Sequence, residues 1–108
     1  MSLSEKTCVP CRGGISPLTR QEFEPFLKEL PNWQVVDDRR LKKTYKTKDF
    51  ADSLNLANRI GQLAEEQGHH PDLTVRWGEL IIDLWTHKID GLSESDFILA
   101  AKIDKLED

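Results

Sequence analysis

Cysteine is scarce. The 108 residues hold only Cys8 and Cys11, one CxxC in a breaker-rich N-terminal stretch with Pro10, Gly13, Gly14 and Pro17. Zinc wants four ligands, so this half-set has no second cysteine pair to complete it, and the fold has no disulfide framework to lean on. No apolar run approaches the ~18 residues of a membrane span, and the first residues show neither an apolar signal core nor an Arg-rich amphipathic pattern. The expectation is a cytoplasmic protein without a membrane partner. Runs of one charge are missing as well. Charged residues make up 31% and the net charge is -4, a balance that argues against nucleic acid, which rewards clustered Lys and Arg. A GxSxG elbow and a glycine-rich phosphate loop are absent, and the cysteines lie in the tail, so no powerful nucleophile is implied.

What is present reads as one domain. Residues 1–17 carry most of the breakers and are expected to form a flexible tail holding the CxxC; residues 18–108 form the domain proper. Thr19 and Glu22 make a capping-box pattern ahead of the stripe Phe23, Phe26, Leu27 and Leu30, which predicts a short helix ending before Pro31. Trp33–Val36 and Leu41–Thr47 are β-rich runs around the turn 37–40. From Asp49, an N-cap, the period becomes 3.6, with Phe50, Leu54, Ala57, Ile60, Leu63 and Ala64 on an apolar face. Gly68 suits a left-handed C-terminal position, and Pro71 prevents continuation. Leu73, Val75 and Trp77, then Leu80, Ile82 and Leu84, alternate around Gly78-Glu79, which predicts a two-residue hairpin with Trp77 facing Leu80 and His70 facing His87. Ser93 to Asp96 again reads as a capping box, opening a last helix through Phe97, Ile98, Ala101 and Leu106. The order α-β-β-α-β-β-α predicts a two-layer α+β domain, a four-stranded antiparallel sheet with helices on one face. Ile81 and Trp85 fall on the opposite face, which suggests self-association.

All three histidines, His69, His70 and His87, lie between residues 65 and 96. Only histidine has an unperturbed pKa suited to proton transfer near neutrality, so any acid/base chemistry is concentrated here. In the predicted register His70 and His87 converge across two strands, His69 sits at the helix-to-strand junction, and Glu65 stands one turn before it. With Trp85 and Trp33 nearby, the set suits a flat heterocycle that needs protons moved. Plainer readings stand beside this one. Cross-strand histidines can be ordinary half-exposed residues, Glu65 a solvated helix-end acid, Asp96 only the cap of its helix, and Trp77 and Phe97 core. A metal site built from the three histidines is awkward because neighbours on a strand point to opposite faces.

Glu65, His69-His70-Pro71, Trp77, His87 and Asp96 at these intervals, with Gly91-Leu92-Ser93 before Asp96, resemble the signature of the pterin-4a-carbinolamine dehydratase family. The likeness spans residues 18 to 106 and includes Leu30-Pro31-Asn32-Trp33 and Lys48-Asp49-Phe50. It implies a lyase that dehydrates 4a-hydroxytetrahydropterin to quinonoid dihydropterin in pterin recycling, without metal or organic cofactor. By the same resemblance, His69, His70 and His87 take the catalytic roles, Glu65 is the acidic pocket residue and Asp96 the acid that orients His87; Pro71, Trp33 and Trp85 are expected to frame the pterin beside them. A homodimer is implied, with tetramers also found in the family. Gly68 departs from the Asp or Asn common in animal members, and the CxxC tail lies outside their pattern. The reading from a different class is a pterin-binding or protein-partner module, for example in molybdenum-cofactor metabolism, without dehydratase turnover.

Overall fold

The computed structural model describes residues 2–6, 8 and 16–106. Their order is α1 (Arg20–Leu27), β1 (Gln34–Val36), β2 (Arg40–Lys46), α2 (Phe50–Gln67), β3 (Asp72–Arg76), β4 (Glu79–Leu84) and α3 (Glu94–Leu106), with short 3-10 turns at Leu3–Glu5 and His87–Ile89. This is the expected α+β arrangement. The sheet is antiparallel throughout in the order β1-β2-β4-β3.

Local chemistry sets the ends of the elements. Thr19 and Glu22 exchange both capping-box hydrogen bonds at the start of α1. The β1–β2 hairpin turns through Asp37 and Asp38, both left-handed (φ 54° and 55°), a conformation Asp tolerates better than most residues. The Asp49 carboxylate accepts the Asp52 N–H at 2.8 Å to open α2. At its other end Gly68 is left-handed (φ 65°), and the His69 N–H returns to the Ala64 oxygen at 3.2 Å. This is a Schellman closure, and it fixes the backbone of His69 to the helix.

The core lies between the sheet and the helices. Leu41, Leu80, Ile82 and Leu84 are fully buried from the sheet, against Phe23 of α1, Ile60 of α2 and Phe97, Leu99 and Ile103 of α3. The face of α2 differs from the sequence expectation. Phe50 and Leu54 are exposed at 47% and 44%, whereas Ser53 and Leu56 are buried. The Ser53 hydroxyl is satisfied by Thr47 Oγ1 at 2.5 Å.

The β3–β4 hairpin also differs. Arg76 opposes Glu79, Val75 opposes Leu80 and Leu73 opposes Ile82, so the turn is Trp77-Gly78 and not Gly78-Glu79. Trp77 sits at the tip, 73% exposed, outside the core. A slip of two residues preserves which side chains face inward, so alternation alone did not choose between the registers. Charge and turn geometry do. Gly78 takes φ 77° at the second central position, and Glu79 meets both Lys46 (2.6 Å) and Arg76 (3.5 Å). The Lys46 hydrogen bond is the largest influence holding the Glu79 carboxyl below its usual range.

Of the N-terminal stretch, residues 2–6 and Cys8 make contacts with the domain. Leu3 is 1% exposed and packs with the core, Lys102 Nζ donates to the Ser4 oxygen at 2.9 Å, and Lys6 pairs with Glu94 at 2.7 Å. Burying one leucine stabilises by about 1.5–3 kcal/mol, enough to hold a short segment. Cys8 is buried too; Cys11, and with it the CxxC as a unit, lies outside the described residues. Among the described residues no helix is long and apolar enough to cross a membrane.

Candidate active site

The end of α2 and the loop after β4 meet at one place. A cavity of about 290 Å³ is lined by Gly68, His69, His70, Trp85, Thr86, His87 and Lys88. All three histidines therefore reach one space, though not by the route expected. His87 does not oppose His70 on a strand. β4 ends at Leu84, and His87 opens the 3-10 turn His87–Ile89.

Beneath the cavity is a buried polar relay. His69 Nε2 lies 2.6 Å from Asp96 Oδ1, with the Asp96 side chain fully buried and the His69 side chain 11% exposed. The other carboxylate oxygen, Oδ2, accepts from the Thr86 hydroxyl at 2.8 Å and from the Ser93 backbone N–H at 2.9 Å. The two oxygens thus divide two jobs: Oδ2 closes the cap of α3, and Oδ1 holds the histidine. Asp96 is the third residue of α3, where the helix dipole favours negative charge, and its three bonds compensate its removal from water. It supports His69 and not His87, the histidine the resemblance had assigned to it.

The loop from Thr86 to Gly91 is closed on itself. Thr86 N–H donates to the Gly91 oxygen at 2.8 Å, and the Thr86 hydroxyl lies 2.8 Å from Ser93 Oγ. Pro17 presses against the far side: a Cβ added at Gly91 would stand 2.5 Å from its Cβ and 2.8 Å from its Cγ. Gly91→Ala is therefore expected to lower stability by about 1–3 kcal/mol through overpacking against a rigid ring. Urea unfolding measures it, and an unchanged midpoint would show that the ring yields.

The remaining residues form the rim. The Trp85 and His87 rings are tilted 34° to each other, centroids 4.3 Å apart, and the Arg40 guanidinium stands 5.5 Å from the Trp85 centroid. His70 Nε2 meets Glu65 Oε2 at 2.5 Å, both side chains well exposed. Exposed pairs of this kind contribute little to stability, so the contact orients more than it stabilises. Glu65, Pro71 and His70 also line an adjoining groove of about 530 Å³ against α2.

Trp33 is not brought to this place. It is buried, and its Nε1 donates to Asp104 Oδ1 at 3.0 Å, where Lys43 Nζ also binds at 2.6 Å. Asp104 lies eight residues along α3 from Asp96, about 12 Å at 1.5 Å per residue. Burial opposes the charge on Lys43, but the Asp104 hydrogen bond and its other partners outweigh it and raise its pKa. Trp33 thus belongs to a structural cluster at the other end of α3.

Thr86 and Ser93 were missed as site residues. The signal for Thr86 was available: it occupies the next inward position after Leu80, Ile82 and Leu84, where a buried hydroxyl needs a partner. Among the described residues no three His, Cys, Asp or Glu side chains gather as a metal site.

Comparison with known proteins is consistent with this geometry. The family model described as pterin 4 alpha carbinolamine dehydratase matches residues 16–106. A protein of Rubrobacter xylanophilus, provisionally named pterin-4-alpha-carbinolamine dehydratase, is 51% identical over 96% of this chain and 97% of its own length. A Rickettsia bellii protein under the same provisional name is 55% identical over 98% of this chain and 95% of its own. A crystal structure titled transcriptional coactivator/pterin dehydratase, from Brucella melitensis, superposes with a TM-score of 0.76 at 29% identity, covering 84% of this chain and 98% of that one.

Proposed function

Because the chain belongs to the pterin 4 alpha carbinolamine dehydratase family, we propose that its histidine-lined cavity dehydrates a 4a-hydroxytetrahydropterin to quinonoid dihydropterin. In the balanced step the C4a–O bond breaks, the hydroxyl takes a proton and leaves as water, and a proton is lost from a ring nitrogen. No electrons pass to or from another molecule. The chemistry asks only for an acid, a base and a flat wall.

The observation that carries this reading is the buried Asp96–His69 couple opening into a cavity shared with His70 and His87. A carboxylate that accepts from Nε2–H selects the tautomer in which Nδ1 is unprotonated, which makes His69 the base. Trp85 and His87 offer the flat surface for a bicyclic ring, and His87 supplies a proton to the departing hydroxyl. His70 with Glu65, and Pro71 beside them, stand at the rim, where they hold the polar edge of the pterin. The open edge of β3 and the half-buried Ile81 on the sheet's outer face support a homodimer. The physiological setting is the recycling of pterin after aromatic hydroxylation.

The test mixes pure protein with 4a-carbinolamine generated in situ by a pterin-dependent hydroxylase and follows formation of the quinonoid product. Acceleration over the spontaneous rate is expected. Tight pterin binding without acceleration would instead point to a binding module.

A further inference from the structure

The family match begins at residue 16, yet Cys8, ahead of it, is buried between the two elements that assemble the site. Cys8 donates its backbone N–H to Oε1 of Gln67 at 3.2 Å and its thiol to the Ser95 backbone oxygen at 3.6 Å. Gln67 is the last residue of α2, two before His69; Ser95 is in the first turn of α3, immediately before Asp96. One residue thus joins the helix end that delivers the histidine to the helix start that delivers its carboxylate. Cys8 is 6% exposed, and burial pushes its thiol above the usual range, which keeps it a neutral donor at neutral pH. The segment is also anchored on the way to Cys8, by Leu3 in the core, by Lys102 on the Ser4 oxygen and by Lys6 on Glu94.

We propose that this N-terminal strap positions the His69–Asp96 couple, with Cys8 and Gln67 as positioning residues; the proposal rests on the dehydratase reading above. Each half of the couple is already fixed to its own helix, His69 by the Schellman closure and Asp96 by its bonds to Ser93 and Thr86. What remains to be set is the placement of one helix end against the other, and the Cys8 contacts span that gap. A displacement of an ångström at such a couple costs up to ~10²-fold in rate, so a modest loosening is measurable.

Point substitutions in the full chain test this without deleting the strap. Gln67→Leu removes the acceptor for the Cys8 N–H, Gln67→Glu keeps it, and Cys8→Ala removes the thiol donor. Gln67→Leu and Cys8→Ala are each expected to lower kcat about 3- to 10-fold with KM within about twofold, and Gln67→Glu to retain kcat. The second readout is the downfield imidazole N–H proton resonance of the His69–Asp96 bond, assigned by its loss in His69→Gln. It is expected to broaden in Gln67→Leu and Cys8→Ala and to persist in Gln67→Glu. Unchanged kcat and an unchanged resonance in the first two variants, even with a lower melting temperature, would overturn the proposal and leave the strap a stabilising element only. Should the unaltered protein show no dehydratase activity, the resonance still decides the strap, so the two readings fail separately.

Discussion

Asp96→Asn is expected to lower kcat by roughly 10²- to 10⁴-fold while leaving the fold in place. The substitution preserves shape but turns one acceptor oxygen into a donor. The Ser93 N–H is fixed by the backbone and keeps its claim on an oxygen, so the amide NH2 turns toward His69. Donor would then face donor at Nε2, and the imidazole answers by moving its proton to Nδ1. The nitrogen meant to receive the pterin's proton is filled, and the base is lost without the removal of a single atom from the histidine. The cost in stability is expected to be smaller, about 1.5–3 kcal/mol, the worth of one hydrogen bond to a charged group. Steady-state rates at saturating substrate, set beside a thermal melt, separate the two effects. A folded variant within about threefold of the parent rate would remove Asp96 from the mechanism and leave it as a helix cap alone.

The double duty of Asp96 marks the boundary of what the sequence made legible. The capping pattern from Ser93 to Asp96 was visible, and so was the family spacing to His69 and His87. That separate oxygens of one carboxylate serve the cap and the histidine was not, because it depends on a contact between residues 27 apart. The order of helices and strands along the chain followed from local periodicity and capping, signals carried within a few residues; the place of β4 between β2 and β3 rests on a long-range pairing. The hairpin register did not, because a two-residue slip leaves every inward side chain inward; it goes with left-handed Gly78 at the second position of the turn, with Glu79 meeting Lys46 and Arg76 beside it. Glu65 stands one turn before His69 in the helix, yet its carboxylate meets His70. The Schellman turn at Gly68 rotates His69 toward α3 and leaves His70 for Glu65. Trp33 and Trp77 show the converse limit, since an aromatic residue near a motif in sequence carries no sign of which side of a helix or turn it will occupy. Leu3 and Cys8 were hidden by the breakers that follow them, which describe the path of the chain and not whether it returns to the core.

The histidines themselves supply the other large effect. His69→Ala is expected to lower kcat by about 10²-fold or more with little change in KM, because the ring is nearly buried on Asp96 and in the proposed reaction is engaged through proton transfer. His87→Ala should lower kcat by a comparable ~10²-fold and raise KM as well, since its ring also forms the wall against Trp85. His87→Gln separates these two parts: an amide at this position restores some contact surface and lowers KM again, yet it has no titratable nitrogen, so kcat stays low. The double variant His69→Ala, His87→Ala discriminates further. If one histidine is base and the other acid in the same transition state, the combined loss falls well short of the product of the single losses, as for residues that act as a unit. Multiplying losses would place the two proton transfers in separate steps. Circular dichroism must first show that each variant is folded, because His69→Ala leaves the buried Asp96 oxygen without its partner, a vacancy that costs stability in its own right. A His69→Ala variant that folds and turns over at the parent rate would falsify the assignment of the base and move attention to His70 at the rim.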